Sequence, residues 1–327
     1  MSATTLMEAR DLHVHFRQHR TVARAVDGVS FEWRRGEILG VVGESGCGKS
    51  TLARALLGLI PPTTGAVSTN GTPLAGKSAL RDLRRRVQMI FQDPYQTLNP
   101  RQRVATIVAE PLLVQGSRGG DRDARVRRAL EDVGLEPEHF LDRYPHQLSG
   151  GQRQRVAIAA ALMLEPDGLI CDEPVSMLDV SVRAQILQVL IELRRRRELA
   201  MLFITHDLSL AWSLCDRLAV MYLGRIVEQG TAVDVIERPQ HPYTQALVAA
   251  VPVPSADASA RPSRALAAGG ELPDATNVPT GCRFHPRCPR RFEPCDSIDP
   301  PLLTTSCEGQ LAACLLHDPA HASDAVA

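Results

Sequence analysis

The sequence predicts an α/β fold: a core of buried strands and helices with an antiparallel β subdomain, an inserted helical subdomain and a small Cys-containing C-terminal extension. Three observations predict it. Apolar runs at 38–42, 168–171 and 201–205 are typical of strands that are buried on both faces. Helical patterns fill 104–164 without a strand signal, and apolar and polar residues alternate between 7 and 33.

The N-terminal stretch is predicted to form antiparallel strands. Its alternation, as in Leu12-His13-Val14-His15-Phe16, has the period of two that places one face of a strand on a core. Phe16 is a candidate to stack on a purine base. Aromatic residues in strands are more often part of a core, so both roles stay open for Phe16 at this point.

A phosphate-loop pattern, G-x-x-x-x-G-K-[ST], follows the first apolar run. It consists of Gly43, Glu44, Ser45, Gly46, Cys47, Gly48, Lys49, Ser50 and Thr51, and a helical pattern follows at 52–57. The glycines let backbone N–H groups wrap a phosphate chain, and the helix N-terminus adds donors and positive charge. Lys49 would contact the β- and γ-phosphates, and Ser50 would bind Mg²⁺. A glycine-rich turn that binds nothing is disfavoured by these flanks, so the sequence predicts a P-loop NTPase core.

Two further motifs surround the helical region. Gln92 ends the strand predicted at 87–91, where its side chain can reach a site while the backbone pivots. Ser149, Gly150, Gly151 and Gln152 open the helix predicted at 152–164. Ser149 is a predicted N-cap, and the two glycines would let a foreign group approach the helix end, although such a cap can be purely structural.

Polar residues end the other two apolar runs. Asp172 and Glu173 would lie at the carboxyl end of a strand, the edge at which open α/β sheets bind ligands. Asp172 would hold Mg²⁺, and Glu173 would orient or deprotonate the attacking water. The alternative is that Asp172 and Glu173 form an ordinary exposed acidic turn. This alternative is less favoured because the same chain carries a phosphate loop upstream. His206 follows the third run and is a candidate contact to the γ-phosphate.

Charge and hydropathy restrict the partners and the compartment. The 327 residues include 37 Lys and Arg and 37 Asp and Glu, which gives a formal net charge of zero. Because phosphate backbones are bound by surplus positive charge, this balance argues against nucleic acid as the main partner. We see no signal-like segment and no apolar run of about 18 residues. We therefore expect an intracellular protein that acts at a membrane only through a partner.

Composition also predicts the domain organisation. Residues 1–250 are expected to form the nucleotide-binding cassette, with the helical subdomain at about 94–165. A Pro- and Ala-rich stretch predicts a linker at 251–280. The Cys-containing extension spans 281–317 and is followed by a tail at 318–327.

Together these motifs resemble the ABC-type ATPase family. They match its Walker A, Q-loop, signature, Walker B, D-loop and H-loop at Gly43–Thr51, Gln92, Leu148–Gln152, Ile170–Glu173, Ser176–Asp179 and His206. The resemblance covers roughly residues 6–230 and implies ATP and Mg²⁺ as cofactors. It also implies two cassettes paired head to tail, in which Ser149, Gly150, Gly151 and Gln152 complete the site of the partner subunit.

The resemblance implies roles for single residues as well. Phe16 would be the base-stacking aromatic and Asp179 the D-loop aspartate, although Met177 departs from the smaller residue common in that loop. The Mg²⁺ ligands would be Ser50, Gln92 and Asp172. The catalytic residues would be Glu173, His206 and Gln92.

Three other segments resemble the oligopeptide/dipeptide import ATPases: Phe91–Arg101, His241–Leu247 and Gly281–Pro289. The resemblance implies ATP hydrolysis coupled to import of di- or oligopeptides, by a peripheral subunit on the cytoplasmic face of the plasma membrane. Its partners would be a second related ATPase, two transmembrane permeases and, through them, an extracytoplasmic solute-binding protein. Nickel and glutathione importers share these segments, so the cargo stays open. A soluble ABC ATPase is less favoured because no coiled coil, second cassette or basic linker is visible.

The 8 cysteines fall into two groups. Cys47, Cys171 and Cys215 are scattered and are predicted to be small buried apolar residues. The extension carries Cys307, which looks extra, and four others: Cys282, Cys288, Cys295 and Cys314. Zinc-knuckle C-x₂₋₄-C pairs are absent, and four thiolates on a Pro-rich segment without its own core predict a metal-stapled module. The resemblance implies a [4Fe–4S] cluster on these four, with zinc and free thiols as the alternatives.

Overall fold

The structure, a computed structural model, describes residues 4–18, 21–116, 121–251 and 274–321. Its strands are β1 (Thr5–Gln18), β2 (Thr21–Arg34), β3 (Ile38–Val42), β4 (Thr64–Thr69), β5 (Thr72–Pro73), β6 (Val87–Ile90), β7 (Gly168–Asp172), β8 (Ala200–Thr205), β9 (Arg217–Tyr222), β10 (Arg225–Thr231), β11 (Leu303–Thr304) and β12 (Leu311–Ala312). Its α-helices are α1 (Lys49–Leu56), α2 (Gly76–Arg86), α3 (Pro94–Thr97), α4 (Val104–Val114), α5 (Arg122–Asp132), α6 (Pro137–Phe140), α7 (Gly150–Leu162), α8 (Val180–Arg197), α9 (Leu208–Leu214), α10 (Ala232–Glu237) and α11 (Pro242–Ala249).

The chain divides into two compact units. The first comprises Met1–Met7, Glu32–Glu37 and Ser68–Phe203, and the second comprises Glu8–Phe31, Ile38–Val67 and Ile204–Ala327. The division falls within β1, β2, β4 and β8, so these strands have residues in both units. Most of the predicted linker, at 252–273, and the end of the predicted tail, at 322–327, lie outside the described residues.

The first unit holds β6, β7 and the first part of β8, and these strands lie side by side in the order β8, β7 and β6. β6 and β7 are parallel, with Val87 opposite Gly168 and Ile90 opposite Cys171. All five residues of β7 are buried, as expected of a strand covered on both faces. At Gly168 a Cβ atom would lie 2.7 Å from the Trp33 ring, so the fully buried indole occupies the space of a side chain.

The helices α3 to α7 follow one another without a strand and form the helical part of the first unit. α7 packs against α3, α4 and α5, and it buries small and branched residues along most of its length. This accounts for the Ala-rich sequence of α7, since small side chains let neighbouring helices approach closely. The predicted helical pattern is confirmed here, and α4 continues through Pro111.

Helix α8 extends from Val180 to Arg197. The four arginines at 194–197 form its last turn, where cations are favoured by the helix dipole. The Arg194 Nε atom donates to the Gly36 carbonyl at 3.0 Å, and Arg197 forms an ion pair with Asp132. These contacts within the first unit stabilise this last turn.

The second unit holds five strands in the order β11, β12, β10, β9 and β3. β3 is parallel to β9, and all five of its residues are buried. β9 and β10 form an antiparallel hairpin around Leu223-Gly224, with an irregularity between Ile226 and Glu228. The buried positions of Cys47, Cys171 and Cys215 are confirmed.

A second sheet contains β2, β1, β4 and β5 in this order, and β4 and β5 are antiparallel. β4 begins at Thr64, close after the turn-favouring pair Pro61-Pro62. The reason lies in backbone pairing: the Thr63 N–H donates to the His13 carbonyl at 2.7 Å, and the Thr63 hydroxyl accepts from the His15 N–H. β1 thus holds this segment in an extended conformation.

The described part of the C-terminal extension belongs to the second unit and does not form a separate core. β12 is antiparallel to β10, with Glu228 opposite Ala312. Phe284 is buried in edge-on contact with Tyr222. Arg283 is buried and forms an ion pair with Asp27, which also receives hydrogen bonds from His13 and His15. Burial opposes the charge of Asp27, but these hydrogen bonds outweigh it and hold the Asp27 pKa below its ordinary value.

His241 lies at the start of α11 and is fully buried. Its Nδ1 atom accepts the Tyr243 N–H at 3.0 Å, so the ring is neutral and acts as a helix cap. The His241 backbone N–H donates to the buried carboxylate of Glu228 at 2.9 Å. Burial lowers the pKa of His241 from 6.5 to about 3, since the charged ring would lose its hydration.

Acidification is therefore expected to destabilise the fold through His241. Below pH 6.5 the ring binds a proton in the unfolded chain but not in the folded chain, so stability falls as pH decreases. From pH 7 to pH 5 this one group should cost about 2 kcal/mol of the free energy of unfolding. Urea unfolding at both pH values measures it. His241→Asn keeps a cap acceptor without a titrating ring, and an equal pH dependence in this variant would contradict the assignment.

Candidate nucleotide-binding site

The predicted phosphate loop connects β3 to α1 in the second unit and lies tightly against neighbouring backbone. A Cβ atom at Gly43 would lie 2.1 Å from the Met221 carbonyl oxygen, and one at Gly48 would lie 1.9 Å from the Ala25 carbonyl oxygen. Both residues have positive φ angles, 154° and 107°. Only glycine fits either position, so the loop sequence follows from its packing as well as from its conformation.

Lys49 is the first residue of α1, and it is only 5% exposed. Its Nζ atom donates to the carbonyl oxygens of Gly43 and Glu44, each at 2.9 Å, and thereby closes the loop on itself. Ser50 and Thr51 follow in the first turn of α1, where backbone N–H groups have no partner within the helix. This end of α1 therefore combines N–H donors, the positive end of the helix dipole and an ammonium group, which suits a polyphosphate.

In the first unit, two of the three predicted catalytic side chains, those of Gln92 and Glu173, meet. The Gln92 Nε2 atom donates to the Glu173 Oε2 atom at 3.2 Å. Asp172 ends β7 and is 2% exposed, while Glu173 follows it with a φ angle of 46°. A left-handed conformation costs a residue other than glycine about 1–2 kcal/mol, and such strain is concentrated at functional sites. The backbone therefore turns sharply where the carboxylate is presented.

The predicted signature segment begins α7 in the first unit. Ser149 is the N-cap, as we predicted, and its Oγ atom accepts from the Gln152 N–H at 3.3 Å. The Gln152 side chain in turn accepts from the Ser149 N–H at 3.0 Å, which completes a capping box. Gly151 is buried, and a Cβ atom there would lie 2.4 Å from the Val182 side chain. Gln152 thus has a structural role that the sequence pattern did not reveal.

The two units divide the predicted site residues between them. The second unit holds the phosphate loop, Phe16 on β1 and His206 after β8; Phe16 is 40% exposed, and His206 is exposed. The first unit holds Gln92, Asp172, Glu173, the signature segment and Asp179, the N-cap of α8. Phe16 is therefore open to solvent and does not belong to the core.

Sequence reasoning missed two residues that hold the phosphate loop. Arg287 of the extension forms two ion-pair contacts with the Glu44 carboxylate, at 3.0 and 3.1 Å, and the Tyr243 hydroxyl accepts the Glu44 N–H at 3.0 Å. Hydrogen bonds from Arg287 to Glu44 raise the Arg287 pKa, and burial raises the Tyr243 pKa. No local pattern signals contacts between residues 199 and 243 positions apart.

The four cysteines of the extension, Cys282, Cys288, Cys295 and Cys314, line one small cavity in the second unit. Among the described residues, no three of these sulfur atoms lie within 4.8 Å of one another. Zinc bound by four cysteines would hold the sulfurs about 3.8 Å apart. The sulfur atoms are therefore not arranged as four zinc ligands in the structure. Cys307 does not line the cavity.

Within the described residues, no helix is both long enough and apolar enough to cross a membrane.

Comparison with known proteins finds relatives that match along almost the whole chain. The family profile "ABC transporter" matches residues 26–176, and "Oligopeptide/dipeptide transporter, C-terminal region" matches 227–295. The dipeptide transport ATP-binding protein DppF of Escherichia coli (strain K12) is 46% identical over 322 residues, which cover 96% of this chain and 95% of the relative. A putative peptide import ATP-binding protein of Brucella ovis is 45% identical over 318 residues, covering 96% and 99%.

A solved structure gives a similar result for the fold. The dimeric, post-hydrolysis ATP-binding cassette MJ0796 bound to ADP and Pi has 28% sequence identity and a TM-score of 0.63. The match covers 69% of this chain and 99% of that chain. The α/β cassette that the sequence predicts is thereby confirmed.

Replacing Gly48 by alanine is expected to disrupt the phosphate loop. The added Cβ atom would collide with the Ala25 backbone, which cannot move away as a flexible side chain can. Gly46→Ala is the matched control, because Gly46 also has a positive φ angle but has no atom within 4 Å of an added Cβ. Gly48→Ala should lower the free energy of unfolding by about 2 kcal/mol more than the control in urea titrations, and equal losses would contradict this account.

Proposed function

This chain belongs to the ABC transporter family of ATP-binding proteins, and we propose that it powers an importer of di- and oligopeptides by hydrolysing ATP. It acts as a peripheral subunit at the cytoplasmic face of the plasma membrane. The observation that carries the proposal is the match along almost the whole chain, C-terminal extension included, to relatives named as peptide or dipeptide ATP-binding proteins.

The geometry of the phosphate loop supports its proposed role. Lys49 leaves the carbonyl oxygens of Gly43 and Glu44 for the β- and γ-phosphates, and the N–H groups at the start of α1 bind the same chain of phosphates. Phe16, exposed on β1, stacks on the adenine. Ser50, Gln92 and Asp172 offer hydroxyl, amide and carboxylate oxygens, which is the donor chemistry that Mg²⁺ prefers.

Glu173 acts as the general base or orients the attacking water, and Gln92 positions its carboxylate through the 3.2 Å hydrogen bond. His206 contacts the γ-phosphate. Ser149, Gly150, Gly151 and Gln152, at the capped start of α7, complete the ATP site of a second cassette, with Asp179 nearby at the start of α8. The N-terminus of α7, with Gly150 and Gly151, suits the γ-phosphate of an ATP molecule bound to the partner cassette.

The permeases are proposed to dock on an apolar groove of the first unit. Met89, Phe91 and Ile107 line it, and Val114 at its edge is 73% exposed. Gln92 directly follows Phe91, so movement of the catalytic glutamine and of the groove would be linked. The partners are thus a second ABC ATPase, two permeases and the solute-binding protein that feeds them, and no nucleic acid takes part.

Replacing Glu173 by glutamine is expected to separate ATP binding from hydrolysis. The amide keeps the shape and a hydrogen-bond acceptor for Gln92 but cannot take a proton, so turnover should fall at least about 100-fold. The equilibrium dissociation constant for MgATP should stay within about twofold, and closed dimers should accumulate with the partner ATPase. Phosphate release and size-exclusion chromatography measure both effects.

The matched control for this charge change is Glu136→Gln, because Glu136 is exposed. The turnover of this variant should equal that of the unmodified protein. Unreduced phosphate release by Glu173→Gln would remove Glu173 from the catalytic role. Absence of MgATP binding in the unmodified protein would remove the function itself.

We also propose that Cys282, Cys288, Cys295 and Cys314 hold a [4Fe–4S] cluster, for which their shared cavity is the support. The group would supply a covalent staple that fixes the extension. Anaerobically purified protein should contain about four iron and four sulfide per chain. Cys288→Ser should lower both, whereas Cys307→Ser, outside the cavity, should not; zinc without iron would contradict the proposal.

A further inference from the structure

A carboxylate stands inside the predicted phosphate loop at Glu44. Unbalanced negative charge at this place would oppose the binding of a polyphosphate, because two like charges a few ångströms apart repel each other strongly near a protein surface. The structure supplies the compensating charge from the C-terminal extension. Arg287 Nη1 lies 3.0 Å from one Glu44 carboxylate oxygen, and Nη2 lies 3.1 Å from the other. This two-point geometry is the strongest that an ion pair of these groups forms.

The ion pair is shielded from water. The side chain of Arg287 is 10% exposed and that of Glu44 is 24% exposed, so salt in the solvent screens their attraction only weakly. Arg287 Nη1 also lies 3.4 Å from the Tyr222 hydroxyl. The Tyr222 hydroxyl therefore holds the guanidinium group in addition to Glu44.

The other polar groups of Glu44 are fixed at the same time. Its N–H donates to the Tyr243 hydroxyl at 3.0 Å, and its carbonyl oxygen accepts from Lys49 Nζ at 2.9 Å and from the Cys47 N–H at 3.3 Å. Side chain, N–H and carbonyl of one loop residue are thus all held. Because Glu44 follows Gly43, its position sets where the loop begins its turn around a ligand.

Arg287 is itself positioned by the cysteine cavity. It ends the short 3₁₀ turn His285–Arg287 and directly precedes Cys288, and its N–H donates to the Phe284 carbonyl. Phe284 and Cys288 both line the cavity. A change in what the cavity holds would therefore displace the turn that presents the guanidinium group.

We propose that Arg287 is a positioning residue of the nucleotide site, which neutralises Glu44, fixes the phosphate loop and couples the state of the four-cysteine cavity to nucleotide affinity. The inference rests on the proposed role of Gly43–Thr51 as the phosphate loop. Without Arg287, the negative charge of Glu44 within the phosphate loop is uncompensated. Nucleotide affinity falls for two reasons: charge repulsion and a loosened loop.

The test is a set of variants of the full-length chain, with dissociation constants for MgATP and MgADP measured by calorimetry. Arg287→Ala should weaken binding about tenfold or more. Adding Glu44→Gln to Arg287→Ala should restore most of the loss, because it removes the repelling charge. Arg291→Ala, an exposed arginine of the same segment, is the matched control and should bind as the unmodified chain does.

A merely structural role for Arg287 predicts a different pattern. It would lower the melting temperature without rescue by Glu44→Gln, and nucleotide affinity would not change at temperatures at which the variant is folded. In steady-state hydrolysis with the partner ATPase, the inference predicts a raised KM for ATP with a nearly unchanged kcat. A reduced kcat at unchanged KM would overturn it.

The coupling to the cavity is tested by Cys288→Ser. It should weaken nucleotide binding in the chain with Arg287 but add little in Arg287→Ala, since both changes act through the same contact. Independent, additive losses would overturn the coupling. If the unmodified chain itself binds no nucleotide, the proposed function fails; if it binds and Arg287→Ala binds equally well, only this inference fails.

Discussion

The phosphate loop leaves no space for a side chain at Gly43 or Gly48, since the carbonyl oxygens of Met221 and Ala25 occupy the positions where Cβ atoms would lie. This close backbone contact is the constraint on which the second unit depends. It requires β9 and β2 to bring their backbones to the loop that follows β3. Packing within the unit therefore determines the conformation of the loop. The ammonium group of Lys49 is held by two carbonyl oxygens of this loop.

The extension takes part in this arrangement and is not an appended module. β12 continues the sheet at β10, Phe284 packs against Tyr222, and Arg287 neutralises Glu44. The cysteines line a cavity to which Phe284 and His285, at the same short turn, also contribute. Four of the 8 cysteines thus lie where a bound metal group would rigidify the turn that carries Arg287. Through Arg287, this turn contacts the phosphate loop.

Much of this could be predicted from the sequence, because the informative patterns are local. Three of these patterns each lie within about a dozen residues, and each predicts its chemistry by itself. They are the strand–glycine loop–helix unit, the acidic end of β7 and the capped start of α7. The partners of the last turn of α8 could not be predicted, because Arg194 and Arg197 contact Gly36 and Asp132, which lie far away in the sequence. The contact between Arg287 and Glu44 could not be predicted, since neither residue carries a local signal of the other and 243 positions separate them.

Coupling of ATP hydrolysis to peptide movement is the central claim, and transport itself tests it most directly. The measurement is uptake of a labelled dipeptide into proteoliposomes that carry this chain, its partner ATPase and the two permeases, with the solute-binding protein supplied. We predict uptake that requires ATP on the side of this chain, saturates with dipeptide and stops when Lys49 is replaced by alanine. Uptake of nickel in place of dipeptide, or dipeptide uptake that continues without Lys49, would contradict the account.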